Sequence, residues 1–396
     1  MSLRHRVYSK FYSQCVMESL NEISYPARLA GLNYSINEGY EGIYLNIGGY
    51  KESAVMLYEM VLDHMVQFTI SNEQFDAIKD KIIRSYENFS LTDAHRQTRE
   101  LGPDIMNEVK FTWMQSLPVA KKISLDELEI YSKDLYKKTY LEAMVYGDFE
   151  ISDSKKVVSL FRDKTNTSPL NEEETFNLRY IKMRKPEVIN YIDTIMVNNS
   201  CFHRKYEIGF DSPKIRAISM LIEKSLEQPF FTEMRTNQQL GYIVWSYSRA
   251  LENVYYLNFL IQSGEYAADQ LDQRANDFIT SSPQILSNMD EETFEKLVAS
   301  SIEELERKPK SISERASILN SLVYDYDANY NRDQETIEEL SKVKKEEVYM
   351  HMSEILSEKS RKMVNILAFS NEHSNQSNKK STFNDLESWK AAREYE

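Results

Sequence analysis

The sequence predicts an α+β fold: two homologous domains in tandem, each a mostly antiparallel sheet with long helices packed on one face. Three observations carry this. Apolar residues alternate in pairs of short runs joined by glycine or polar turns, as in hairpins. Between the hairpins lie long stretches with apolar residues three and four apart, the period of a helix, and there is no regular strand–helix–strand alternation. The pattern of one half also returns in the other. LAGLNYSI…GIYLNIGGY matches QLGYIVWS…VYYLNFLIQS, so that Gly31 pairs with Gly241 and Tyr44-Leu45-Asn46 with Tyr256-Leu257-Asn258. SNEQF from Ser71 pairs with DEETF from Asp290, and the strand ending at Phe149 with the one ending at Phe369. The offset stays at about 210–220 residues, as expected of one duplicated unit.

Taken in order, residues 4–24 form a helix with Tyr8, Phe11, Tyr12, Cys15, Val16, Leu20 and Ile23 on one face. After Pro26 and Gly31 comes a hairpin: Leu32, Tyr34 and Ile36 alternate, a Gly39–Gly42 turn intervenes, and Ile43, Leu45 and Ile47 alternate in turn. Helices follow over 52–68 and 72–90, the second opened by Ser71 and Gln74 at capping-box spacing. Residues 93–116 read as helix cut by Gly102-Pro103, and Ser124 with Glu127 caps a helix reaching 138. Residues 141–146 read as an apolar strand, and a helix starts at Ser152.

The first domain is expected over 1–163, a polar linker over 164–188 with room for a strand at 176–183, and the second domain over 189–396. The second domain should hold strands at 189–197 and 205–210 and a helix at 213–227. A helix over 229–239, a break at Gly241, and strands from Tyr242 and over 254–262 around a Glu252-Asn253 turn follow. Helices at 265–283, 290–307, 313–326 and 343–357 and a strand at 363–368 complete it. The tail from about 371 is Ser/Asn/Lys-rich and expected to be mobile, with Phe383, Leu386 and Trp389 suited to dock a short final helix.

Composition narrows the function. With 41% apolar and 28% charged residues in 396, the chain is long enough for two real cores. Its net charge of −14 argues against nucleic acid or an anionic membrane as partner. No run of 18 apolar residues and no signal peptide is visible, and Cys15 and Cys201 read as separate buried thiols. The location expected on these grounds is cytoplasmic.

No catalytic motif stands in the chain. The histidines are His5, His64, His95, His203, His351 and His373, and no two lie three to five residues apart. Neither H-E-x-x-H nor H-x-x-E-H is present; His351-x-x-Glu354 is followed by Ile355 where a second histidine would stand. Cys201 and His203 sit two apart, more simply read as strand residues than as a nucleophile and its base. Nucleotide loops and G-x-S-x-G are absent. What remains is the junction around Gly241, where a helix runs into a hairpin and brings Arg235 near Tyr242.

That junction carries a resemblance. FFTEMRTNQQLGYIVWS is similar to the signature of the C-terminal half of the insulysin/pitrilysin (insulinase) family of zinc metallopeptidases. Its R-T-x-x-Q-L-G-Y-I-V is matched by Arg235, Thr236, Gln239, Leu240, Gly241, Tyr242, Ile243 and Val244. LNEISYPARLAGLNYSI from Leu20, FLIQS from Phe259 and ERKPKSISE from Glu306 resemble the family as well. The family has four homologous α+β domains, two per half, with the zinc motif in the first half and a peptide-admitting chamber between the halves. The resemblance therefore implies that this chain is the non-zinc half, with no metal or cofactor of its own. Its partners would be a zinc-bearing N-terminal half and peptide substrates, with homo-oligomerisation left open. It further implies that Arg235 and Tyr242 are the catalytic contacts, reaching the substrate at the other half's zinc site. A phenol donates a hydrogen bond to a carbonyl oxygen gaining negative charge, and an arginine holds a carbonyl or orients the tyrosine. The chain alone is then expected to be inactive. The alternative is a non-catalytic scaffold or peptide-binding subunit of the same fold.

Overall fold

A computed structural model describes residues 2–376 and 378–396. In chain order its elements begin α1 (Leu3–Ser19), α2 (Asn21–Leu29), β1 (Asn33–Glu38), β2 (Ile43–Gly48), α3 (Lys51–Val66), α4 (Asn72–Phe89) and α5 (Ala94–Met106). There follow α6 (Trp113–Lys122), α7 (Leu125–Leu135), β3 (Lys138–Thr139), α8 (Ile151–Thr165), β4 (Ser168–Pro169), β5 (Glu187–Thr194), β6 (Ser200–Phe210) and α9 (Pro213–Phe231). The remainder are β7 (Ile243–Leu251), β8 (Val254–Ser263), α10 (Ala268–Ser281), α11 (Pro283–Asn288), α12 (Glu291–Glu306), α13 (Ile312–Tyr324), α14 (Arg332–Leu340), α15 (Lys345–Leu356), β9 (Lys362–Phe369) and α16 (Leu386–Ala391). No helix among the described residues is long and apolar enough to cross a membrane. The mixture of long helices and mixed sheet is the α+β class read from the sequence. By internal contacts the chain forms two compact units, one of residues up to Phe89 with Val109–Arg179, the other of Ser90–Glu108 with Tyr180–Glu396.

In the first unit α1 is the central element. Its buried residues Val7, Tyr8, Phe11, Tyr12, Cys15 and Val16 follow a helical stripe, and α4, α6, α7 and β1 surround it. The Tyr12 hydroxyl donates to the Met65 carbonyl at 2.6 Å and meets the Tyr136 hydroxyl at 2.6 Å, so the aromatic core keeps its polar atoms satisfied. The two capping boxes read from sequence are present: Ser71 with Gln74 opens α4 and Ser124 with Glu127 opens α7. β1 and β2 pair antiparallel from Asn33↔Gly48 to Glu38↔Ile43.

Two details of this unit differ from expectation. The helix expected over 4–24 is two helices, because Leu20 holds an αR conformation that lets the chain re-enter a helix at once, carrying Pro26 inside α2. Residues 141–146 form no strand. Their counterpart β9 is hydrogen-bonded on both sides, by β5 and β6, whereas 141–146 has no neighbouring strand to satisfy its backbone, and Leu141 and Tyr146 stay exposed.

The second unit is built on a five-stranded sheet in the order β5-β9-β6-β8-β7, with β5 parallel to β9 and the other pairs antiparallel. Phe202, Tyr206, Leu257, Phe259, Ile261, Leu367 and Phe369 face a core shared with α9, α10, α12 and α15. The alternate residues Cys201, Leu260 and Ala368 face Ala94 of α5 on the opposite side. Helices therefore cover both faces of this sheet, and β6, β8 and β9 are buried almost throughout, as strands in the middle of such a layer must be. The stretch 93–116 that reads as one interrupted helix is α5 and α6. α5 passes straight through Gly102-Pro103, and Gly102 is where the Lys205 ammonium end packs, 2.6 Å from the position a Cβ would take. The strand read over 176–183 reduces to single bridges at Tyr180 and Ile181.

The tail returns to the sheet edge. Thr382 exchanges hydrogen bonds with Asn190 of β5, Phe383 packs between Tyr191 and Trp389, and Arg393 pairs with Glu187 at 2.7 Å. Asp385 caps α16, the short helix suggested by Leu386 and Trp389.

A charged cluster lies inside the helical face. Arg204 of β6, 1% exposed, donates to Asp272 of α10 at 2.5 Å, to Asn365 of β9 at 3.1 Å and to Asn276 at 3.0 Å; Lys379 also contacts Asp272. A buried guanidinium survives only if each donor has a partner. Asp272→Ala should therefore lower unfolding stability by about 3–5 kcal/mol, read from the denaturant midpoint, and adding Arg204→Leu should recover part of the loss.

Candidate functional site

The site forms where α9 ends. Ser212 caps α9 by accepting from the Ile215 N–H at 3.2 Å, Pro213 occupies its first turn, and the helix runs unbroken through Pro229 to Phe231. Pro229 thus lies within a helix rather than opening one. The chain then widens into a π-helical turn, Thr232–Asn237, closed by the Gln238 N–H on the Glu233 carbonyl at 3.0 Å. The Glu233 carboxylate accepts from Asn237 at 2.7 Å and Gln238 at 2.8 Å, and these hydrogen bonds hold its pKa below the ordinary glutamate value. Gln239 adopts a left-handed φ of +53°, and the Leu240 N–H returns to the Met234 carbonyl at 2.9 Å. Met234 and Leu240 are both buried, so the turn is pinned at each end.

Gly241 passes against β8. A Cβ there would stand 1.9 Å from the Gln262 carbonyl oxygen, so no side chain fits. β7 begins two residues later with Ile243 opposite Gln262. Between them Tyr242 projects with 80% of its surface exposed.

Arg235 and Tyr242 are brought together as the sequence suggested. Arg235 Nη1 donates to the Tyr242 backbone carbonyl at 2.8 Å. Its guanidinium carbon lies 4.3 Å from the centre of the Tyr242 ring and 5.1 Å from that of Phe231, a cation held between two aromatic rings. Phe231 was not singled out from sequence; its signal was its place four residues before Arg235, one turn away on the same helix face. The arrangement leaves the tyrosine ring fixed at its base and its hydroxyl directed at solvent.

The other sequence candidates do not converge. The His351 ring meets the Ile208 carbonyl at 2.9 Å while Glu354 pairs with Lys185. His64 meets Ser19 at 3.2 Å. Cys201 and His203 lie side by side on the α5 face of β6, both fully buried. Burial pushes the Cys201 thiol up to about 12 and the His203 imidazole down to about 3, leaving neither a thiolate nor a charged imidazole at neutral pH. The His203 ring nitrogens lie 3.2 Å from the Thr98 carbonyl and 3.3 Å from Asn258 Oδ1.

Residues 1–119 match the family model described as the middle or third domain of peptidase M16, and residues 221–320 match that of the PQQ synthase PqqF-like C-terminal lobe domain 4. Insulin-degrading enzyme of Homo sapiens is 26% identical over 352 residues, covering 87% of this chain and 34% of that protein. The A-factor-processing enzyme of Saccharomyces cerevisiae is 25% identical over 368 residues, covering 92% of this chain and 36% of that protein.

The chain is similar to peptidases of the insulinase family. It corresponds to the C-terminal half and spans 34–36% of the length of these curated relatives. The fold agrees: the pitrilysin crystal structure superposes with a TM-score of 0.85 at 16% identity, over 100% of this chain and 42% of that one. The peptidase M16 inactive domain from Pseudomonas fluorescens gives a TM-score of 0.65 at 14% identity, over 93% of this chain and 89% of that one. The insulinase family is zinc-dependent, and the residues of this chain do not fit that ion. Among the described residues no group of three or more His, Cys, Asp or Glu side chains is placed to hold a metal.

Two outcomes follow from this geometry. Gly241→Ala should destabilise the fold by about 1–3 kcal/mol through the clash with the Gln262 carbonyl, visible as a lowered denaturant midpoint. His203 gives an acid sensitivity: its ordinary value is 6.5 and its folded value about 3, so below pH 6.5 the unfolded chain binds a proton that the folded chain refuses. Its stabilising contribution is complete above that value and is lost as pH falls toward the folded one, by up to about 1.4 kcal/mol per pH unit. His203→Gln should therefore show a shallower fall in stability than the parent between about pH 6.5 and about pH 4.

Proposed function

We propose that this chain is the substrate-contacting half of an insulinase-type metalloendopeptidase. In this reading it walls one side of a peptide chamber, and a separate zinc-bearing half completes the active site. The observation that carries it is the exposed Tyr242 hydroxyl, presented by a turn that is pinned by Met234 and Leu240 and braced by Arg235. Ordinary folding buries a tyrosine ring or leaves it loose; here the ring is exposed and held at once.

The chemistry follows from the two side chains. When a peptide carbonyl is attacked, its oxygen gains negative charge, and a hydroxyl already fixed in place stabilises that charge without further reorganisation. Tyr242 donates to this oxygen. Arg235 keeps the Tyr242 backbone and ring in position through its hydrogen bond and its stacking, and its remaining N–H groups offer a hold on a neighbouring substrate carbonyl. Similarity to the insulinase family and the shared fold support this reading.

The test is reconstitution. The chain mixed with the zinc-bearing half should cleave peptides, and the chain alone should not. In the reconstituted enzyme Tyr242→Phe should lower kcat/KM by about 10²–10³, the usual cost of losing one such donor. Arg235→Ala should also lower it, with Arg235→Lys failing to restore it because an ammonium cannot both stack and donate as a planar fork. Unchanged kcat/KM in Tyr242→Phe would falsify the assignment.

A further inference from the structure

Beyond Tyr242 the strand continues as an aromatic and cationic strip. Ile243, Trp245, Tyr247 and Arg249 alternate along β7 and project from the face opposite α9. α5 covers that face over β6, β8 and β9, and β7 is the edge strand of the sheet. Trp245 is consequently 38% exposed and Arg249 is exposed, an unusual state for a tryptophan in a strand.

The strip is braced from α5. The His95 ring meets the Trp245 ring edge-on at 5.3 Å, and the Arg99 guanidinium lies 5.8 Å from the Trp245 ring centre. Among the described residues neither Arg99 nor Arg249 is paired with a carboxylate. The chain carries 62 acidic residues against 48 basic ones, so carboxylates are not scarce. Two exposed arginines flanking Trp245 and Tyr247 with no internal counter-ion make a positive, aromatic surface that fits a negative extended ligand.

The spacing links the strip to Tyr242. At about 3.3 Å per residue, Trp245 lies about 10 Å along the strand from Tyr242, and Arg249 about 23 Å. We propose that Trp245, Tyr247, Arg249 and Arg99 form a remote subsite for the acidic segment of an extended peptide whose reacting carbonyl lies at Tyr242. The subsite rests on the reading of Tyr242 as a substrate contact. It assigns a substrate class, peptides with Asp or Glu about three to seven residues from the scissile bond. The carboxylates pair with Arg99 and Arg249, and the intervening side chains lie on Trp245.

The experiment titrates the full chain with two fluorescently labelled peptides of about twelve residues, long enough to span Tyr242 to Arg249. They are matched in apolar content; one carries Asp and Glu, the other Lys at the same positions. The wild-type chain should bind the acidic peptide about 10- to 100-fold more tightly, the range for hydrogen bonds to charged groups, and added salt should narrow the gap. The Arg99→Ala/Arg249→Ala double variant should lose the preference. The single variants Arg99→Gln and Arg249→Gln, checked by circular dichroism, give the same reading if the double variant does not fold. Trp245→Ala should weaken both peptides. A preference for the acidic peptide that survives in all the arginine variants, or is absent in the wild type, overturns the subsite. Tyr242→Phe separates this from the catalytic reading. It should keep the acidic preference while lowering turnover of short and long peptides alike in the reconstituted enzyme. Loss of preference in the arginine variants with full turnover in Tyr242→Phe keeps the subsite and rejects the catalytic role. Loss of turnover in Tyr242→Phe with preference intact in the arginine variants does the reverse.

Discussion

The second unit depends on a backbone approach that only hydrogen can fill. At Gly241 the chain runs so near the Gln262 carbonyl that a methyl group would overlap it, and this contact sets where β7 meets β8. The consequences spread from Gln262 in two directions. Its backbone lies under Gly241 and fixes the exit of the π-helical turn, and hence the facing of Arg235 and Tyr242 across seven residues. Its side-chain oxygen accepts from the His95 N–H at 2.8 Å and lies 3.0 Å from the His95 ring. The first turn of a helix has N–H groups with no partner inside the helix, so Gln262 also satisfies the start of α5. One residue of β8 thereby holds both the loop that presents Tyr242 and the helix that braces Trp245.

The duplicated hairpin shows how much of this is particular to the second copy. In the first unit Gly31 has φ +76° and closes α2, and Leu32 after it is 9% exposed. In the second, Gly241 serves close approach rather than a left-handed turn, and Tyr242 after it is 80% exposed. The same aligned letter answers two different steric demands. Both copies keep an antiparallel hairpin after the glycine, but the pinned and exposed side chain belongs to one. A residue moved from core to solvent at an otherwise repeated position carries no packing reason for its identity, which is why the contrast between Leu32 and Tyr242 separates scaffold from site.

Most of the fold was legible because its signals are local. Helical stripes, capping boxes and the two glycine-bearing hairpins depend on neighbours a few residues away. What escaped depends on distant partners. β6 was expected over 205–210 and extends from Ser200, because His203, Arg204 and Lys205 read as polar yet are buried against Thr98, Asp272 and Gly102 from other elements. The apolar run 141–146 carried a strand signal that nothing in its unit pairs. The π-helical turn gave no periodic signal at all, since its i→i−5 bonding is imposed by the anchors Met234 and Leu240. Arg235 and Tyr242 stood out by their place at the helix-to-hairpin junction and gained an expected role only through the family signature; the ring stacking that couples them, and Phe231 beneath it, required the three-dimensional arrangement.

The arginines of the second unit divide by what faces them. Arg204, Arg216 and Arg332 are buried and each meets a carboxylate, Asp272, Glu335 and Asp211 respectively, because a charge removed from water must be neutralised where it stands. Arg235 and Arg99 meet aromatic rings instead, Phe231 and Tyr242 for the first and Trp245 for the second. An aromatic face orients a guanidinium without cancelling its charge. A cation stacked this way keeps its direction and its long-range field, whereas one paired with a carboxylate keeps only its direction. In an acidic chain the distinction is one of placement, not supply: Arg204, Arg216 and Arg332 are neutralised inside, whereas Arg99 and Arg235 keep their charge against aromatic rings.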